Sequence, residues 1–208
     1  MQDKAKLVEA ADPSEPIPDK QAAHRMIEDA VGQILLAVGE DPHREGLLKT
    51  PERVARMYDE LLAGYSVEPA AMINNACFDA DYNEMVVVKD IDYASLCEHH
   101  MLPFFGRVDI AYIPNGKVLG LSKIPRVVEM FSRRLQLQER MTQEIANFLN
   151  ELLHPQGVAV LVTGQHFCSM MRGVRKVNAR MVTQAMLGRF EEKDTRDQFF
   201  ERIRDYEK

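Results

Sequence analysis

The feature that most limits what this chain can fold into is a change of hydrophobic period at Glu84. Before it, the apolar positions Met26, Ile27, Val31, Ile34, Leu35 and Val38 recur at helical spacing from Gln21 onward. "KTPERVARMYDELLAGY" then predicts a second helix, with Thr50 as N-cap, Pro51 at the first helical position and an end near Gly64. After Glu84, "EMVVVKDI" and "GRVDIAYIP" are rich in strand formers, and "NGK" between "AYIP" and "VLGLS" has hairpin-turn chemistry. A long helical stretch is expected from Ser122 to about His154, with a break near Arg134. "GVAVLVTGQHF" and "RMVTQAMLGRF" are expected strands, and "TRDQFFERIRDY" is an expected closing helix capped by Asp194 or Thr195. Strand, hairpin, long helix, strand, strand is an α+β order.

The 208 residues suit one domain, or one domain with an appended helical part. The division expected is a mobile charged tail over 1–18, a helical N-terminal part over 19–82, and the α+β domain over 83–208. There is no internal repeat and no low-complexity segment.

Net charge of −6 argues against non-specific nucleic-acid binding, which runs on basic surface, while leaving room for a local basic pocket that takes a phosphorylated small ligand. The first residues lack an apolar signal region, and no apolar run reaches the length of a bilayer span. Three cysteines are an odd, sparse count that suits a reducing compartment. The expectation is a cytoplasmic protein with neither nucleic acid nor membrane as partner.

"SLCEHHMLPFFG", residues 95–106, places Cys97 and His100 at a C-x-x-H spacing, from which two ligands in one turn reach the same ion. "QHFCSMMRG" adds His166 and Cys168 just after an expected strand. Cys97, His100 and Cys168 make a Cys₂His set, which leaves one tetrahedral position open for water, as in a catalytic zinc site. A structural site would draw a fourth ligand from His99 or His166, and that reading stays open. Packing as a small apolar residue suits Cys77 well and Cys97 poorly, given Glu98, His99 and His100 beside it. His99 and His166 are left as acid–base groups beside the presumed ligands. His24, His43 and His154 stand alone and read as surface residues.

If Ser122 caps the following helix, Lys123 and Arg126 fall in its first turn, where positive charge is unfavourable unless an anion docks. Solvated surface cations are the plain alternative. Arg172, Arg175 and Lys176 add basic density after Cys168, and Gly173 beside Arg172 allows close backbone approach. Glu139, after Gln138, is either half of a surface ion pair or a planar acceptor for the adjacent N–H groups of a guanine edge.

The motifs CEHH, GLSK, QxQER and HxCxxxRG, in that order within "SLCEHHMLPFFGRVDIAYIPNGKVLGLSKIPRVVEMFSRRLQLQERMTQEI" and "GQHFCSMMRGVRK", resemble the GTP cyclohydrolase I family. "REGLLKTPERVARMYDELLAGY" is similar to that family's helical N-terminal part, and the likeness runs from about residue 20 to the last helix. The resemblance implies the tunnelling fold (T-fold), an antiparallel sheet backed by long helices, and a toroidal homodecamer with sites at subunit boundaries. It implies conversion of GTP and water to 7,8-dihydroneopterin triphosphate and formate, the entry to pterin and tetrahydrofolate biosynthesis. It further implies one zinc ion per subunit on Cys97, His100 and Cys168, acid–base roles for His99 and His166, and guanine binding by Gln138 and Glu139. Triphosphate binding falls on Lys123, Arg126 and Arg172, with Arg53 from another subunit, and Ser122 assists the ribose rearrangement. CEHH with HFC is the pattern of the zinc-dependent branch. Two rivals remain: a T-fold binding protein with a structural zinc, and a hydrolase that opens the guanine ring without closing the pterin.

Overall fold

The structure, a computed structural model, describes residues 19–204, so the expected tail over 1–18 lies outside the described residues. The chain divides into two compact units, one up to Asp59 and one from Glu60.

In the first unit, helix α1 (Lys20–Ala37) is capped by Asp19, whose carboxylate accepts from the Ala22 N–H at 2.8 Å. Helix α2 (Thr50–Leu61) begins in the same unit. Its first turn closes with the Arg53 N–H on the Lys49 carbonyl at 3.1 Å, which puts Thr50 inside the helix rather than at its cap. The shift costs nothing at Pro51, because N–H groups in a helix's first turn have no intrahelical partner in any case. His24, read as a lone surface residue, instead bonds the Asp59 carboxylate at 2.9 Å, and Lys20 joins it at 2.9 Å. His43 and His154 are exposed as expected.

The second unit opens with a 3₁₀ turn at Ala63–Ser66 and a short helix α3 (Pro69–Ile73). Then come β1 (Cys77–Asp79), β2 (Val86–Cys97), β3 (Pro103–Ile113) and β4 (Lys117–Leu119). Helix α4 (Lys123–Ser132), strand β5 (Leu135–Gln136) and helix α5 (Gln138–Leu153) replace the single long helical stretch. The break near Arg134 therefore holds a short strand. β6 (Gly157–His166), α6 (Phe167–Met170), β7 (Met181–Gly188) and α7 (Lys193–Ile203) complete the described chain.

The main sheet has the order β5-β2-β3-β6-β7, antiparallel throughout except for the parallel β2–β5 pair. The expected hairpin at Asn115–Gly116–Lys117 is a turn, with Gly116 at φ +81, but its outgoing strand does not return along β3. β4 pairs antiparallel with β1 in a separate two-stranded sheet. The closing helix starts at Lys193 with Glu192 at its N-cap and no side-chain cap. Thr195, an expected cap, is buried.

Side-chain alternation along β3 and β6 gives the main sheet two covered faces. Val108, Ile110 and Tyr112 sit opposite Val162, Val160 and Val158 and face the large core, which α4 and α5 close with Ile124, Val127, Met141, Ile145 and Leu149. Ala111, Ile113 and Ala159 face the other way, onto Phe190 and Phe199 of the C-terminal segment. Among the described residues no helix is long and apolar enough to cross a membrane.

Candidate active site

Because β2 and β6 both run antiparallel to β3, they run parallel to each other and end at the same edge of the sheet. That topology brings together two motifs far apart in sequence. Cys97 is the last residue of β2 and buried, and a tight turn follows it. The Met101 N–H reaches the Cys97 carbonyl at 2.8 Å, and Met101 takes φ +53. His100 lies on this turn and is exposed. His166 ends β6, opposite Phe104 at the start of β3, and Cys168 lies on the short helix α6 that follows.

The Sγ atoms of Cys97 and Cys168 and a ring nitrogen of His100 lie within 4.8 Å of one another, and among the described residues no further Cys, His, Asp or Glu joins the group. Burial, and after it the neighbouring Cys97, pushes the Cys168 thiol above its ordinary pKa. Two thiols side by side resist ionisation, and a divalent cation between them reverses the preference. The donor set suits such an ion: thiolate and imidazole are the ligands of a borderline-soft metal.

Around this group stand three further expected residues. His99 Nδ1 is 3.8 Å from Cys97 Sγ. Arg172 donates from Nη1 to His100 Nε2 at 2.9 Å. His166 is stacked on Phe104, ring centroids 4.6 Å apart and planes 4° from parallel. Burial lowers the pKa of His166, opposed by the nearby Glu139 carboxylate.

Gln138 and Glu139 open α5 and point different ways. Glu139 is exposed and has no ion-pair partner among the described residues, so the surface-pair alternative has no cation to name. Gln138 is 1% exposed, with its side chain bonded to β6, β7 and His166. Its inward direction was not readable from the sequence.

Ser122 occupies the N-cap position of α4, but its hydroxyl makes no capping bond and is exposed. The Lys123 ammonium donates to the Met72 carbonyl at 2.7 Å. Arg126 is exposed and without an ionic partner among the described residues. No hydrogen bond or ion pair among the described residues joins these three to the Cys–His group. Arg53 is an exposed residue of α2. Arg175, at φ +51, and Lys176 are exposed on the loop after α6.

Two charged residues that the sequence reading left without a role turn out to be partners. Arg140 pairs with Glu98 of the turn after β2 and also donates to Gln136 Oε1 at 3.0 Å and the Leu135 carbonyl at 3.2 Å. The available signal was their opposite charge within CEHH and QxQER.

A family model described as GTP cyclohydrolase I matches residues 27–204. A Chlorobium phaeovibrioides protein called GTP cyclohydrolase 1 is 54% identical over 177 residues, covering 85% of this chain and 79% of that one. A Campylobacter curvus protein of the same name is 52% identical, covering 85% of this chain and 93% of that one. One from Leptospira biflexa is 49% identical, covering 86% and 98%.

Proposed function

The chain belongs to the GTP cyclohydrolase I family, and from that premise we propose how its residues divide the work. It is a GTP cyclohydrolase I, a hydrolase that acts on GTP, and its α+β unit is a T-fold. The reaction opens the guanine imidazole ring, releases formate and closes 7,8-dihydroneopterin triphosphate, the first step of pterin and folate synthesis.

In this reading Cys97, His100 and Cys168 would hold one zinc ion per subunit. The observation that carries it is the approach of their ligand atoms to within 4.8 Å from two separate strand ends. Zinc held there supplies a Lewis acid that lowers the pKa of water to near neutrality. Glu139 accepts two parallel N–H bonds from the guanine edge, with Gln138 beside it at the same end of the site. Lys123, Arg126 and Arg172 take the triphosphate, joined by Arg53 of another subunit. His99 and His166 stand at the reacting end and exchange protons with guanine N7 as its bond to C8 breaks. Lowered pKa favours neutral His166 at working pH, which suits it to accept a proton first. Ser122, whose hydroxyl the helix leaves unused, assists the ribose rearrangement. The enzyme works as a cytoplasmic homodecamer with its sites at subunit boundaries.

The test is an incubation with GTP in which zinc content and formate are assayed on one sample, followed by oxidation and a pterin fluorescence reading. Formate and pterin together, both lost on chelation, is the expected result. Zinc with neither product would mean a structural metal in a binding protein. Formate without pterin would mean ring opening alone.

A further inference from the structure

We infer that Gln138 is a positioning residue for His166: its buried carboxamide fixes which imidazole nitrogen carries the proton and leaves Nδ1 as the nitrogen that exchanges protons with the substrate. The inference rests on the proposed role of His166 and replaces guanine contact as the work of the Gln138 side chain.

The chemistry of the neighbours orients the amide. Gln138 Nε2 lies 3.1 Å from the Val162 carbonyl, 3.1 Å from the Met181 carbonyl and 3.1 Å from Thr183 Oγ1. Carbonyl oxygens only accept, so the nitrogen end must face them and the oxygen end must face the other way. The hydroxyls agree. Thr142 donates its proton to the Gln138 backbone carbonyl at 2.7 Å, so in the 2.7 Å Thr142–Thr183 contact the donor is Thr183. Thr183 Oγ1 then has no proton left for Gln138, so it too must face the nitrogen end, whose two hydrogens are shared among the three acceptors.

Gln138 Oε1 is left facing His166 Nε2 at 2.9 Å. An amide oxygen cannot donate, so the hydrogen in that contact belongs to His166 Nε2. Neutral His166 is thereby held as the Nε2–H tautomer, with its lone pair at Nδ1. Phe104, stacked on the ring, fixes its plane. Gly164 makes the space: a Cβ there would lie 2.3 Å from Gln138 Oε1. With both ends of the carboxamide engaged and the residue 1% exposed, no polar atom of the side chain remains for a guanine.

The first experiment needs no variant. The metal-loaded enzyme, labelled with ¹⁵N-histidine, is examined by solid-state NMR, and the His166 signals are assigned by their loss in His166→Gln. A proton on Nε2 and a bare Nδ1 are expected; a proton on Nδ1 overturns the inference. The second is Gln138→Met, which keeps volume and removes the acceptor. Its kcat is expected to fall on the order of 10- to 100-fold. KM for GTP should stay within about twofold, with zinc content unchanged and the His166 tautomers mixed. A raised KM at unchanged kcat would return Gln138 to the guanine, and a lowered kcat with unaltered His166 signals would reduce it to a structural pin. Should Gln138→Met fail to fold, the wild-type spectrum decides. Formate release by the wild-type enzyme separately tests the function on which the inference rests.

Discussion

At the scale of single residues, the inner end of the site is built around a missing side chain. A Cβ on Gly164 would meet Gln138 Oε1 at 2.3 Å and the Tyr93 hydroxyl at 2.5 Å, so glycine admits two polar groups to one buried corner. Only one of them is satisfied. Among the described residues Tyr93 Oη is buried without a hydrogen-bond partner, and burial holds its phenol far above the ordinary pKa, neutral at any working pH. Its ring earns its place by edge contact with Phe104, centroids 5.9 Å apart, behind the stacked His166. Removing an unpartnered buried hydroxyl relieves a desolvation cost, so Tyr93→Phe should leave stability unchanged or raise it by up to about 1 kcal/mol. Thermal unfolding at fixed protein concentration checks this, and a loss of more than about 1 kcal/mol would mean the hydroxyl has a partner. Residue type and spacing were enough to nominate Cys97, His100 and Cys168 as a group, because metal ligands come from a short chemical list. They could not separate Gln138 from Glu139. Successive helical residues differ by about 100° in direction, and which one meets a sheet depends on a docking angle that local sequence does not encode.

At the scale of elements, the site depends on how closely β3 and β6 approach. Gly106 faces Gly164 across that pair, and a Cβ on Gly106 would lie 1.9 Å from the Thr163 carbonyl oxygen. Backbone cannot give way there without parting the strands, so Gly106→Ala should cost more than about 3 kcal/mol, read from the urea midpoint of unfolding. A cost under about 1 kcal/mol would show that the pair yields locally. A second connection joins the turn after β2 to α5 through Arg140, which holds Glu98, Gln136 and Leu135 at once. Lysine keeps the charge but not the planar fork, and cannot reach all three. Arg140→Lys should therefore loosen the turn carrying His100 and weaken zinc retention against a chelator by about 10- to 100-fold. The exposed ion pair itself stabilises little, so the melting temperature should barely move. A large fall in melting with intact zinc affinity would make the link purely structural. Elements with a long period were legible in the sequence: α1, β2, β3 and β6 all appear where expected. Short ones were not. β4 follows turn residues that suit a hairpin, yet its partner is β1, some 40 residues upstream, a choice set by tertiary context rather than by the turn. β5 has only two residues, too few to show any period.

At the scale of the whole molecule, the α+β order was readable because each face of the sheet writes its own alternation. Val158, Val160 and Val162 meet one apolar cluster while Ala159 meets the other. Assembly writes no such pattern, so the proposed homodecamer needs its own test. The proposal makes a sharp demand: Cys97, His100 and Cys168 serve a site from one subunit, and Arg53 serves it from another. Two variants, Arg53→Ala and Cys168→Ala, should each form inactive oligomers when made alone. Coexpressed in equal amounts, they assemble at random. A site is then complete when the subunit bearing intact Cys168 has a neighbour bearing intact Arg53. With two equally frequent variants, about a quarter of sites meet both conditions, so activity should return to about a quarter of the wild-type value. Zinc content should reach about half, because every Arg53→Ala subunit still carries its own ligands. If Arg53 and Cys168 acted within one subunit, every site would lack one of them, and mixing would restore zinc without restoring formate release.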